Sequence, residues 1–237
     1  MEAYSILAKY YDSLMKDFNY DAYTDFIKGY VKGEGIDLCC GTGEMTIRLA
    51  KLKCKMIGMD LSQEMLNVAR DKARKSFQNI VFIQENLKDF EAPHKMDFIT
   101  CVCDGFNYID NKSLKESINN IAKYLKSGAY LIFDFSSEYK LKNVLGNNTF
   151  CEDTKDVTYI WSNELKDNRV EMQVSFFEPK GKDLYQRIDD NQTQYIHELE
   201  FVKDALNKDF EYEVFDGEKF SEAKDNSLRY LFIAKRK

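Results

Sequence analysis

Residues 35–46 read GIDLCCGTGEMT. An apolar run carrying Asp37 is broken by two glycines one residue apart, Gly41 and Gly43, and Glu44 and Met45 then open a stretch that can be helical. Glycine has no Cβ, so the chain can turn tightly there and its backbone can approach a ligand. A strand, a glycine turn and a helix in that order aim helix-terminal amides at a nucleotide. A lone G-x-G is weak evidence, because turns use glycine for local reasons. Here it coincides with Asp37, four residues before Gly41, and with Asp60, which closes the next apolar run, KMIGMD.

Outward from this stretch, strand and helix signals alternate from Gly35 to Ser136. Short continuous apolar runs at 36–40, 55–59, 80–83, 97–103 and 130–135 predict parallel strands covered on both faces. Between them EMTIRLAKL, SQEMLNVARDKARKS and SLKESINNIAKYLKSG place apolar residues at helical spacing, for example Met65, Leu66, Ala69 and Ala73. The last helix is expected to start at a capping box, Ser113 with Glu116, and to end on a left-handed Gly128. After Ser136 the period changes to two: Val170, Met172, Val174 and Phe176 alternate with Glu171, Gln173 and Ser175. With turn signals at 166–168 and 179–183, this predicts an antiparallel sheet of three or four strands within residues 143–196. A helix at 198–207 and strands at 210–215 and 228–234 resume the first pattern. The fold class expected is α/β: a doubly wound, mainly parallel, seven-stranded Rossmann-like sheet with a small antiparallel β insertion.

Bulk properties narrow the partners. A net charge of −6 over 237 residues, 31% of them charged, gives no general attraction to nucleic acid or to an anionic membrane. The N-terminus has no basic-then-apolar signal pattern, and no apolar run approaches ~20 residues. Four of the six cysteines lie in strand-like runs as small hydrophobes, and the Cys101/Cys103 pair, expected on one strand face, has no second Cys/His pair at zinc spacing. Structural thiols, no metal and a cytoplasmic location are therefore expected.

Asp60, ending the second strand, is placed to accept ribose hydroxyls. Its other reading, a cap for the helix beginning near Ser62, is better filled by Ser62 itself. Asp37 in an apolar strand needs a partner, either a neighbouring amide or a ligand ammonium. A dinucleotide site would have a third glycine three residues after Gly43, where this chain has Thr46, and it would need a second βαβαβ half. A nucleoside without phosphates fits better, with an NAD-dependent oxidoreductase as the alternative.

The stretches DLCCGTG (37–43), MDLSQEML (59–66) and QENLKDF (84–90) resemble three successive motifs of the class I methyltransferases that use S-adenosylmethionine, and FITCVCDGFNYI (98–109) resembles the fourth. YSILAKYYD (4–12), with Tyr20 and Tyr23, is similar to the N-terminal lid of small-molecule members. A β insertion after the fifth strand resembles glycine N-methyltransferase and the sugar N,N-dimethyltransferases of macrolide pathways. The resemblance implies that Asp37 faces the methionine ammonium through the glycine turn, while the Cys39–Gly43 backbone, including Gly41, passes the methionine part. It also implies Asp60 on the ribose, Leu61 and Met65 against the adenine, and a backbone amide of Leu87 to the ring. Asn86 stands where many relatives have Asp, and an amide can still accept through its oxygen. Cys103 and Asp104 would lie beside the transferred methyl, with Tyr11 closing over the cofactor, whose product is S-adenosylhomocysteine.

Methyl transfer to a neutral amine needs little acid–base help beyond positioning and desolvation. Asp104, Asn107, Tyr108 and Tyr195 are candidates for acceptor contact or proton removal. Of the two histidines, His94 reads as solvated. His197 reads as structural, with reach to the acceptor as its other possibility. CDGFNY stands where amide and base methyltransferases carry a proline-containing turn, and no Pro-Cys pair exists for cytosine chemistry. A small-molecule acceptor, nitrogen ahead of oxygen, is the expectation; a non-catalytic S-adenosylmethionine-binding module is a further alternative. The expected organisation is residues 1–142 and 197–237 as the cofactor-binding domain, with a helical lid over about 1–30. Residues 143–196 form an acceptor cap or dimer contact, in a monomer or homodimer.

Overall fold

The computed structural model describes residues 3–237, with side chains from residue 6 onward; the expected lid therefore includes two residues, Met1 and Glu2, outside the described ones. Two helices, α1 (Ala3–Leu14) and α2 (Tyr20–Ile27), precede the alternating region. There follow β1 (Glu34–Leu38), α3 (Glu44–Lys51), β2 (Lys55–Asp60), α4 (Gln63–Lys75), β3 (Val81–Gln84) and β4 (Met96–Cys101). A 3-10 turn (Gly105–Tyr108), α5 (Asn111–Tyr124) and β5 (Leu125–Ser136) complete it. A π-helical turn (Lys140–Leu145) leads into β6 (Thr149–Asp153), β7 (Thr158–Lys166), β8 (Arg169–Pro179) and β9 (Tyr185–Tyr195). The chain ends with α6 (Leu199–Leu206), β10 (Phe210–Asp216) and β11 (Arg229–Arg236).

Seven strands form one sheet in the order β10-β11-β5-β4-β1-β2-β3, and β6-β7-β8-β9 form a separate antiparallel sheet. Strands β1 to β5 pair in parallel, while β11 runs antiparallel to both β5 and β10. The central strands are buried on both faces, which is why their apolar runs do not alternate: Ile36, Phe98, Ile99, Leu131, Ile132 and Phe133 are all fully buried. From β1 the chain winds one way to β2 and β3; with β4 and β5 it winds the other way. The order reverses between β1 and β4, and their C-terminal ends open a crevice there.

Two boundaries differ from the sequence expectation. Helix α5 is capped by Asp110, whose side chain accepts the Ser113 N–H at 2.8 Å, so Ser113 lies inside the first turn rather than at the cap. Gly128 is left-handed at φ 79°, yet it does not end α5. The helix stops at Tyr124 and runs directly into β5, whose pairing with β4 jumps from Met96↔Leu125 to Phe98↔Tyr130. Gly128 lies in that irregularity, where the extra residues must be accommodated and a positive φ costs glycine little.

In the smaller sheet Val170, Met172, Val174 and Phe176 all face inward. Val174 and Phe176 pack on Ile6, Leu7 and Ala8 of α1 and on Met65 of α4; Val170 and Met172 pack on Leu141 and Leu145 of the π-helical turn. Helix α1 thus lies between the smaller sheet and α4, beside the crevice.

Candidate functional site

The turn after β1 is built from residues at positive φ: Cys39 at 53°, Gly41 at 53° and Gly43 at 78°. A Cβ on Gly43 would lie 3.0 Å from the Ala69 Cβ, so this glycine lets α3 approach α4. The turn is tied to β2. Cys40 N–H donates to the Met59 carbonyl at 2.9 Å, and Gly41 N–H donates to Asp60 Oδ2 at 2.8 Å. The other Asp60 oxygen accepts the Ser62 N–H at 2.9 Å. Ser62 caps α4 by accepting the Met65 N–H, so the cap role weighed for Asp60 is filled by Ser62. Burial raises the Asp60 carboxyl above its ordinary range, with the N–H groups of Ser62, Gly41 and Leu61 opposing.

Asp37 is 1% exposed, and both its oxygens have protein donors: Thr46 Oγ1 at 2.5 Å and Thr100 Oγ1 at 2.7 Å. Thr46, the residue in place of a third glycine, is thus a support for Asp37. Neither threonine was picked out from the sequence as its partner; Thr100 is the register neighbour of Asp37 across β1 and β4, so the signal lies in the pairing. Burial pushes the Asp37 carboxyl up to about 6, the two hydroxyls opposing. The folded chain therefore holds a proton there that the unfolded chain releases between pH 3.8 and about 6. Stability from this residue is full below that window and is lost as pH rises through it. Relative to Asp37→Asn, the protein is expected to gain about 2 kcal/mol from pH 7 down to pH 4, read by urea unfolding at several pH values. A flat difference across that range would contradict the shifted titration.

A cavity of about 420 Å³ opens at the C-terminal strand ends. Its floor is Cys39 and Gly41 of the turn, Asp60 and Leu61 after β2, and Cys103 after β4. Met65, Asn86 and Leu87 form one wall; Tyr11 of α1, Tyr108, Gln192 and Tyr195 cover it. Asp37 lines a smaller adjoining cavity shared with Tyr11, Cys39 and Cys103, while Gly43 is part of the helix packing. Asn86 Oδ1 accepts the Lys88 N–H at 3.0 Å, which leaves its amide hydrogens for other partners. The charged lining among the described residues is Asp60, Glu85 and Lys88. An acceptor carboxylate, an apolar shelf and an amide fit a nucleoside, and the net negative lining fits a cationic one.

Other candidates lie elsewhere. The Asp104 carboxylate bonds Arg229 at 2.5 and 3.0 Å, with Lys140 at 3.8 Å, and does not line the cavity. Burial would raise its pKa, but the Arg229 and Lys140 charges hold it below the ordinary range, which leaves a weak base. Asp134 completes the cluster. It takes Arg229 at 2.5 Å, the Tyr23 hydroxyl at 2.8 Å and the N–H groups of Cys103 and Asp104 at 3.2 and 2.9 Å. It thereby clamps two residues at positive φ, 62° and 67°. That turn also ends β4 at Cys101, so Cys103 lies beyond the strand and the two thiols do not share one strand face as expected.

Asn107 is fully buried and staples the 3-10 turn to β5 and β9, accepting the Ser136 N–H at 2.8 Å and donating to the Tyr195 carbonyl at 2.9 Å. His197 is fully buried outside the cavity, with Nε2 3.0 Å from the Phe106 carbonyl and Nδ1 2.5 Å from the Asn111 side chain. Burial lowers its pKa, so it is neutral and structural. His94 pairs with Glu34 at the opposite end of the sheet. Tyr108 and Tyr195 remain at the cavity, with the Tyr108 hydroxyl donating to Gln192 Oε1 at 2.9 Å. Among the described residues, no group of three or more His, Cys, Asp or Glu side chains could hold a metal ion.

The family profile described as "Methyltransferase domain" matches residues 36–128. A protein of Geobacillus sp. (strain WCH70), named for methyltransferase activity, is 31% identical over 215 residues, 86% of this chain and 87% of its own. The crystal structure of an S-adenosylmethionine-dependent methyltransferase from Clostridium acetobutylicum ATCC 824 has a TM-score of 0.89 at 32% identity, covering 98% of both chains. The sugar N-methyltransferase KedS8 from Streptoalloteichus sp ATCC 53650 shares the fold, with a TM-score of 0.75 at 16% identity over 97% of this chain and 92% of its own.

Proposed function

The chain belongs to the class I S-adenosylmethionine-dependent methyltransferases, and from that premise we propose that it methylates a small-molecule acceptor, at nitrogen in preference to oxygen, by in-line displacement. The observation that carries this reading is the roof of the cavity: α1 and β9 cover it through Tyr11, Gln192 and Tyr195, which leaves a compartment suited to a small molecule. When bound, S-adenosylmethionine supplies an electrophilic methyl on a cationic sulfur. Asp60 would hold the ribose hydroxyls, with Leu61 and Met65 against the adenine and Asn86 and the Leu87 amide at its edge. Asp37, braced by two threonines, would orient the glycine turn toward the methionine ammonium, along Cys39 and Gly41. Cys103, clamped by Asp134, would border the methyl, and Tyr11 would exclude water.

The nitrogen preference follows from what the site lacks in bases. Asp104 and His197 are engaged in other bonds, and an amine attacks through its own lone pair without a strong base. The likeness to a sugar N-methyltransferase points the same way. In this reading residues 143–196 act as an acceptor cap on the cofactor-binding domain. The protein works in the cytoplasm, as a monomer or as a homodimer paired through the exposed edge strand β6. No described helix is long and apolar enough to cross a membrane.

The test is transfer of a tritiated methyl group from S-adenosylmethionine into fractionated cell extract. The expected result is label in low-molecular-weight amines; label confined to RNA or to protein would overturn the proposal.

A further inference from the structure

The inward face of the smaller sheet carries polar atoms with nothing to bond. Asp190 is 1% exposed, and neither of its carboxylate oxygens has a hydrogen-bond partner among the described residues. Asn163 is 8% exposed with both amide atoms unpaired, and the buried indole nitrogen of Trp161 is unpaired as well. Buried polar groups are ordinarily satisfied, and each exception asks for a reason. Outside this sheet the Ser136 hydroxyl is also unpaired, but the other buried aspartates have partners. Asp37 has two threonines, Asp134 has Arg229 and Tyr23, and Asp216 accepts the Ser227 hydroxyl at 2.7 Å.

The orphaned groups share one face of the sheet, with Trp161 and Asn163 on β7 and Asp190 on β9, about 10 Å away across β8. Trp161 and Asp190 both lie opposite Val174, and Asn163 and Gln192 both lie opposite Met172. These are adjacent rows on the face whose Val174 packs against α1. Gln192 lines the main cavity, where it meets the Tyr108 hydroxyl. Asp190 is two residues back along β9 on the same face, a step of about 7 Å. Burial pushes its carboxyl up to about 6, with the nearby Gln192 amide opposing without a hydrogen bond of proper geometry. At neutral pH it is therefore mostly a buried anion, and no described cation pairs with it.

We propose that Asp190, Asn163 and Trp161 form the recognition subsite for the methyl acceptor, and that the acceptor is a small cationic amine with a neighbouring hydroxyl or carbonyl. Asp190 draws in the protonated amine and takes up its proton, so that the neutral nitrogen has the lone pair that attacks the methyl, while Asn163 and the Trp161 N–H take the second polar group. This assignment rests on the methyl-transfer reading of the adjoining cavity. It also gives α1 a role, since that helix covers the subsite and would order the acceptor against the cavity.

Trp161 is the only tryptophan in the chain, so its emission reports this place alone. With S-adenosylhomocysteine bound, glucosamine and ethanolamine are titrated against their uncharged counterparts, glucose and ethylene glycol. The amines are expected to change the emission saturably and the neutral compounds are not. Asp190→Asn should raise the amine dissociation constant at least tenfold while S-adenosylhomocysteine binding, followed by calorimetry, stays the same. Should that variant not bind S-adenosylhomocysteine, Asn163→Ala takes its place, with a threefold or greater weakening expected. Equal responses to amine and neutral probes, no response to either amine, or unchanged amine affinity in the substituted protein would each overturn the subsite. Amine binding without methyl transfer into any acceptor would instead sink the methyl-transfer reading and leave the subsite standing.

Discussion

Arg229→Ala is expected to destabilise the protein by about 3–5 kcal/mol, the range for breaking a buried ion pair from one side. Arg229 is 5% exposed and bridges Asp104 and Asp134, both at 2.5 Å from the same Nη1. Without the guanidinium, two adjacent carboxylates lose their main counter-charge in a buried setting, and Lys140 at 3.8 Å from Asp104 compensates only in part. The loss is large beside a typical total stability of about 5–15 kcal/mol. Its pH dependence has a definite sign. In the intact protein the depressed Asp104 pKa contributes stability that is present above its unfolded value and is lost as pH falls through the folded one. In the variant burial pushes the Asp104 carboxyl upward once the Arg229 charge is gone, so its stability should instead improve as the solution is acidified toward pH 5. Urea unfolding at pH 5 and pH 7.5 reads both effects. A triple variant, Arg229→Met with Asp104→Asn and Asp134→Asn, should recover much of the loss, because it removes the uncompensated charge. A cost below about 1 kcal/mol for Arg229→Ala would mean the cluster is hydrated and not a structural clamp.

Asp60→Ala is expected to weaken S-adenosylhomocysteine binding by about two orders of magnitude, with little change in fold. Charge-assisted hydrogen bonds contribute about 1.5–3 kcal/mol each, and every 1.4 kcal/mol is a factor of ten in affinity. The same carboxylate also holds Gly41 and Ser62 N–H groups at 2.8 and 2.9 Å, so its removal loosens the turn that borders the cavity. Asp60→Asn keeps one acceptor oxygen and should fall between the two. Calorimetry measures the affinities, and thermal unfolding without ligand checks the fold. Affinity unchanged in Asp60→Ala would remove Asp60 from the proposed ribose site.

The fold was legible because periodicity is local. Continuous apolar runs such as IDLCC and LIFDF marked strands covered on both faces, and the switch to period two at Val170–Phe176 marked the separate sheet. Boundaries were less legible. Ser113 and Glu116 carry a capping pattern, yet Asp110 is the residue whose side chain reaches the first turn, three positions earlier. Gly128 has the conformation of a helix cap but lies in a strand irregularity, because the pairing of β4 with β5 decides where the extra residues go.

For the site, the residues announced themselves by type and spacing, while their engagements did not. Gly41, Asp60, Asn86 and Cys103 could be named because each lies at or just past a strand end, and strand ends are visible in one dimension. That Asp104 is tied to Arg229, 125 positions away, that His197 is buried against Phe106, and that Thr100 supports Asp37 are facts of pairing between distant segments. Asp190 read as one more polar position in an alternating strand, and only burial beneath α1 made it an anion without a partner. Sequence by itself determined the strand–helix order, the inserted sheet and the glycine turn after β1, since propensity and hydrophobic period act over a few residues. Tertiary structure alone decided which carboxylates are paired, which are shut away and which face a ligand, because burial and charge compensation depend on what the rest of the chain folds against them.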